Sequence, residues 1–120
     1  MARNSEAEPG SSRAVSVPWR GDGRLVRAGQ RDFLIVEQAE GVGGTWQANT
    51  YPGCACDVPS HLYSFSFAPN PSWSRAFSPQ DEIRRYLEDC VRRFGLGPYL
   101  HLNTRVEAAR FDEADGRWTV

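Results

Sequence analysis

A chain of 120 residues with 40% hydrophobic content has room for one domain and a modest core. Its formal net charge of -1 gives no electrostatic pull toward nucleic acid or an anionic membrane surface. No apolar run approaches the roughly 20 residues that cross a bilayer, and no signal-peptide core opens the chain, so a soluble cytoplasmic protein is expected.

Residues 1–23 are rich in Ser, Gly, Arg, Glu and Pro without a sustained period, which predicts a disordered leader ahead of a domain spanning 24–120. Gly21-Asp22-Gly23 reads as a loop. Val26 stands where the third glycine of a Gly-x-Gly-x-x-Gly phosphate loop would fall, and too few residues remain before Phe33 for a full crossover helix. Residues 24–28 then resemble the last turns of a helix, with Gly29 as its C-cap. The first strand and phosphate loop of a dinucleotide fold are therefore expected to be missing or replaced.

Phe33 to Val36 is a continuous apolar run with two β-branched members, which predicts a strand covered on both faces, as in a parallel α/β sheet. Glu37 follows it. In doubly wound folds an acid at the end of the second strand accepts hydrogen bonds from a nucleotide ribose. Gly41, Gly43 and Gly44 remove side chains where backbone must approach a ligand, and Trp46 and Tyr51 are candidate flat walls. Pro52-Gly53 is a turn signal that leads to Asp57 and Tyr63. A glycine-rich loop with one structural tryptophan is the competing reading, favoured for the glycines alone, and from the residues alone Asp57 reads sooner as an Asx-turn residue.

Residues 38–77 hold many aromatics and prolines but little periodicity, and so long a loop in a compact domain is usually functional. Cys54, Cys56 and Cys90 are odd in number, and Cys54-x-Cys56 lacks the spacing of zinc or thioredoxin-like motifs. They read as free thiols in a reducing compartment, with no metal site. Phe65 and Phe67 alternate with Ser64 and Ser66 as on the buried face of a short strand, and Trp73 reads as a packing anchor.

Ser78 as N-cap, Pro79 at the first helical position and Asp81 three residues after the cap predict a helix that Gly95 ends. Ile83, Tyr86, Leu87, Cys90, Val91 and Phe94 form its apolar stripe. Asp81 with Arg85, Glu88 with Arg92, and Asp89 with Arg93 are spaced for exposed ion pairs. Gln80 stands at the helix start, pointing back toward the glycine-rich loop. Strands are predicted over 99–103 and 105–111, with Val106, Ala108 and Phe111 turned inward, then a turn at 112–116 and a return strand over 117–120.

Glu37, Gly43-Gly44-Thr45-Trp46, Asn49, Tyr51-Pro52-Gly53, Asp57, Pro59-Ser60, the Leu62 to Phe67 run, Asn70-Pro71 and Trp73-Ser74 form one ordered series. In order and spacing it resembles the FAD- and NADPH-dependent flavoprotein monooxygenases, closest to the Baeyer-Villiger type, with the flavin-containing monooxygenases as relatives. The resemblance runs from near Arg24 to the last residue and covers only an early slice of such an enzyme. It implies an incomplete α/β fold: a partial dinucleotide-binding, Rossmann-like FAD domain with a β-meander.

The resemblance also implies roles. Glu37 would bind the adenosine ribose of FAD, Gly43, Gly44, Thr45 and Trp46 its flavin end, Tyr63 the same cofactor, and the Val106 backbone its adenine. Asp57, the catalytic candidate, would lie beside the isoalloxazine and the nicotinamide, and Ala55, Cys56 and Asp57 match positions near NADP. Complete family members use NADPH and O2 to oxygenate a ketone or soft heteroatom compound through a peroxyflavin. The NADPH domain and the family's Phe-x-Gly-x-x-x-His-x-x-x-Trp fingerprint are absent from this sequence. The chain alone is therefore expected to lack turnover, its missing portions standing on another chain if anywhere. A non-catalytic fragment or interaction module that binds no flavin is the second reading, and a truncated gene product the third.

Overall fold

A computed structural model describes residues 14–16 and 22–120. Most of the expected leader, residues 1–13 and 17–21, lies outside the described residues. The sheet is built around β2 (Phe33–Val36), which runs parallel to β1 (Ala14–Ser16) on one side and to β3 (Leu100–His101) on the other. Of the expectation that the first strand is missing or replaced, the first alternative is thus excluded, while the phosphate-loop part falls outside the described residues. Three residues carry too little pattern to be read locally; β1 exists through its ladder to β2, which pairs Ala14 with Phe33 and Ser16 with Ile35.

Helix α1 (Asp22–Arg27) connects the two strands, so Asp22 and Gly23 are helical where a loop was expected. The helix supplies six of the sixteen residues, 17–32, that lie between the two strands. The helix closes as expected at Gly29, whose φ of +81° lets its N–H reach the Val26 carbonyl at 3.0 Å while Gln30 N–H reaches Leu25 at 2.9 Å.

Along β2, Phe33 and Ile35 are buried while Leu34 and Val36 are half-buried. One face of the strand therefore carries more of the core than the other. Phe33 stacks on Tyr99 at 4.3 Å, and with Ile35 and Leu96 it centres a cluster completed by Leu25, Val26, Val91, Phe94 and Leu100. Each large side chain so buried contributes roughly 1.5–3 kcal/mol relative to exposure.

Helix α3 (Gln80–Arg93) carries the apolar stripe that its spacing dictates. Ile83 and Leu87 enter a second cluster with Trp46, Cys54 and Cys56, and Val91 and Phe94 pack against the first one. The helix thus belongs to both. At its end Gly95, with φ +62°, lets Leu96 N–H reach the Val91 carbonyl at 3.0 Å and turns the chain out of the helix.

Two details of α3 differ from expectation. The residue at the cap position is Pro79, with no side-chain cap. Ser78 is fully buried and its hydroxyl meets that of Ser60 at 2.6 Å instead. The cause is non-local: residues 54–56 run antiparallel to 78–80, with Cys56 N–H on the Ser78 carbonyl and Gln80 N–H on the Cys54 carbonyl, both at 2.9 Å. Of the expected ion pairs Asp81–Arg85 forms at 2.7 Å, whereas Glu88 takes Arg84 and Asp89 takes Arg92. Exposed carboxylates have near-equivalent partners one turn either way, and such pairs are each worth only a few tenths of a kcal/mol, about 0.2–0.5.

The segment 64–68 is a turn closed by a Phe65–Ala68 bridge, not a strand. The Tyr86 phenol holds it, accepting from Phe65 N–H at 2.8 Å and donating to the Ala68 carbonyl at 2.9 Å. Phe65 and Phe67 stack on each other at 5.1 Å. Trp73 packs beside Tyr86 as an anchor, 5.3 Å between ring centres.

Further along, residues 97–99 form a single tight turn and β3 is only two residues long. No strand covers 104–109, and the last pair, β4 (Arg110–Asp112) and β5 (Arg117–Thr119), forms a hairpin. Val106, Ala108 and Phe111, expected to turn inward, are exposed. Phe111 instead pairs across the hairpin with Trp118, ring centres 5.2 Å apart. No helix among the described residues is long and apolar enough to cross a membrane.

Candidate nucleotide site

The site residues lie on the connection that leaves the carboxyl end of β2. Glu37 is tied there by its backbone, N–H to the His101 carbonyl at 2.9 Å and C=O from Thr104 N–H at 3.0 Å. Its half-buried carboxylate accepts the Ala39 N–H through Oε1 at 2.8 Å, which turns the chain away from the sheet.

Next comes α2 (Thr45–Ala48), a single turn whose start depends on two glycines. Gly44 has φ 54° and ψ -117°, and Gly43 has φ +132°. These backbone states are closed to most L-residues. A Cβ on Gly43 would also sit 3.1 Å from the Gln47 nitrogen. The turn's own geometry thus already requires the glycine pair.

Trp46 is buried, so its ring is a core element and not an open wall, while Tyr51 is 63% exposed. The Trp46 indole N–H donates to the Tyr63 hydroxyl at 3.0 Å, with the two rings edge-on. The Trp46 carbonyl accepts the side-chain amide of Gln80, which does point back to the glycine-rich loop. Cys54 and Cys56 are buried in the same cluster and Ala55 between them is exposed, the alternation of an extended segment. Val58 N–H approaches Cys56 Sγ at 3.4 Å. A hydrogen bond with Cys54 raises the Tyr51 phenol, and burial pushes the Cys90 thiol up; all three cysteines are free thiols, as expected.

Trp46, Cys56 and Tyr63 are therefore gathered in one core behind the loop. Thr45 and Asp57 are exposed at its surface, and Val106 is exposed on the later segment without a strand. Reading the sequence missed the Ser60–Ser78 pair and the Tyr86 clamp. The only local signal for them was a polar atom next to an apolar run.

A parallel sheet with a crossover helix, an acid at the end of its middle strand and a glycine turn beyond define a nucleotide-binding type of α/β domain. Residues 23–88 match the NAD(P)-binding Rossmann-like domain family, and the chain belongs to that family. It is 56% identical over 97 residues to a Baeyer-Villiger monooxygenase of Streptomyces coelicolor, a match over 81% of this chain and 19% of that protein. It is 44% identical over 126 residues to a Baeyer-Villiger monooxygenase of Pseudomonas aeruginosa, over 98% of this chain and 24% of the relative. Among solved structures, an oxidized steroid monooxygenase bound to NADP superposes with a TM-score of 0.81 at 38% identity, over 89% of this chain and 22% of that one. OTEMO in complex with FAD and NADP gives 0.79 at 32% identity, over 90% and 22%. The resemblance read from the sequence is thus borne out, and the chain spans about a fifth of the length of the curated relatives it matches.

Proposed function

We propose that this chain is the FAD-binding part of an NADPH-dependent, cytoplasmic flavin monooxygenase that oxygenates a ketone or soft heteroatom compound. The observation that carries the reading is Glu37 at the carboxyl end of the central parallel strand. A carboxylate offers about four acceptor positions. Ala39 N–H takes one, on Oε1, which leaves capacity for ribose hydroxyls and fits an adenine dinucleotide. The proposed domain is residues 24–120, onto which β1 pairs from the leader.

In this reading Gly43, Gly44, Thr45, Trp46 and Tyr63 hold the flavin end, and Val106 presents backbone to the adenine. Asp57, exposed after the Pro-Gly bend, stands beside the flavin and nicotinamide, with Ala55 and Cys56 next to NADP. When bound, FAD supplies the electron transfer from NADPH to O2 that the oxygenation requires. The chain's own part is to orient the cofactor, and further polypeptide, on the same or another chain, completes the nicotinamide and substrate sites.

The test is FAD titration of the purified 120-residue chain, followed by flavin absorbance after gel filtration. Co-elution of yellow flavin, lost in Glu37→Ala, is expected; a folded, colourless wild type would sink the reading. Ketone-dependent NADPH oxidation by the chain alone is expected to be absent. A module that folds without flavin is the second reading, favoured by the burial of Trp46 in the chain's own core. The same titration separates the two.

A further inference from the structure

We propose that Gln80 is a positioning residue for the cofactor-binding turn, fixing the Trp46 carbonyl, and through it the Gly43-Gly44-Thr45-Trp46 backbone, against residues 54–56. What the turn holds rests on the FAD reading above. How the turn is held rests on hydrogen bonds alone.

Helix α2 is one turn long, far below the length at which a helix sustains itself in water. Its internal bonds run from the N–H groups of Trp46, Gln47, Ala48 and Asn49 back to Gly43, Gly44 and Thr45, all at 2.9–3.0 Å. The carbonyls of a final turn have no partner further along the helix, and Trp46 C=O is one of these. Gln80 Nε2 fills that vacancy from a residue 34 positions away.

Gln80 is itself the first residue of α3, where N–H groups likewise lack intrahelical acceptors. Its backbone N–H goes to the Cys54 carbonyl at 2.9 Å. One residue thus satisfies an orphan group on each of two helices and clips the glycine turn to the segment that carries Ala55, Cys56 and Asp57. On the far side the Trp46 indole is held by Tyr63, so backbone and ring are fixed independently.

The chemistry is selective for a donor. The acceptor is a carbonyl oxygen, so a carboxylate of the same shape would set lone pairs against lone pairs. A methionine of similar size would fill the space and offer no proton.

The experiment compares wild type, Gln80→Glu and Gln80→Met in the full 120-residue chain, by hydrogen exchange of the amides of residues 46–49 and by FAD titration. Amides within α3, at Leu87 and Cys90, report global stability. Exchange at 46–49 is expected to accelerate about tenfold in Gln80→Glu and less in Gln80→Met, as losing a hydrogen bond to a partly buried carbonyl implies, while α3 keeps wild-type rates. FAD affinity is expected to weaken in the same order. Unchanged protection at 46–49 in both variants would overturn the proposal, and so would equal losses at 46–49 and in α3, which would make Gln80 a general packing residue. If wild type takes up no FAD, the FAD reading falls by itself, and the exchange data still decide whether Gln80 sets the turn.

Discussion

The indole N–H of Trp46 points at the phenol oxygen of Tyr63, 3.0 Å away, and the two rings meet at 85° with centres 5.8 Å apart. A residue in the glycine turn and one 17 positions later are locked by both a polar and an aromatic contact. Tyr63→Phe would keep the ring and remove the acceptor, stranding a buried donor. A loss of about 1–3 kcal/mol is expected in urea denaturation. The double variant Trp46→Phe/Tyr63→Phe should be more stable than the sum of the single losses implies, because it strands no donor.

The buried hydroxyl pair makes an asymmetric prediction. Ser60 Oγ donates to the Arg75 carbonyl at 2.7 Å, so the proton shared with Ser78 at 2.6 Å comes from Ser78. Ser60→Ala leaves both the Arg75 carbonyl and the Ser78 hydroxyl without partners, and a cost of about 2 kcal/mol or more is expected. Ser78→Ala removes one bond and orphans no donor, so about 1 kcal/mol is expected. Equal midpoints in thermal denaturation would contradict this proton assignment.

Alkaline stability should depend on Tyr86. Burial, the largest influence, pushes its phenol from 10.0 up to about 12, although the Phe65 backbone hydrogen bond pulls the other way. The folded pKa is raised, so this group's contribution is complete below pH 10 and is lost as pH climbs through about 12. Phenolate formation also removes the proton given to the Ala68 carbonyl. Unfolding free energy measured across that window should fall more steeply in wild type than in Tyr86→Phe.

Two glycines should differ in how they tolerate alanine. At Gly95, φ is +62° and nothing lies within 4 Å of an added Cβ, so only the left-handed backbone is penalised, by about 1–2 kcal/mol. At Gly43, φ is +132° and the Cβ would meet Gln47 backbone at 3.1 Å. Gly43→Ala should therefore cost more than Gly95→Ala in chemical denaturation and should disorder α2.

What could be read in advance was what local pattern determines. The apolar run at Phe33–Val36 and the stripe from Ile83 to Phe94 each announce their element, because burial of a repeating face is written in consecutive residues. Glycine at 29 and 95 likewise marked both helix ends. The main failures are non-local. Ala14–Ser16 becomes a strand only because Phe33–Ile35 lies beside it, and Ser78 gives up capping because Ser60 arrives from 18 positions earlier. For the site, Glu37 and the glycine pair were legible as types, whereas the burial of Trp46 was not, since its partner Tyr63 comes from beyond an intervening loop.

Helix α3 lends Ile83 and Leu87 to one hydrophobic cluster and Val91 and Phe94 to the other. Fraying of this shared rod removes a wall from both clusters at once. On global unfolding, the glycine-rich loop and the three-stranded sheet should accordingly lose their packing in one cooperative step.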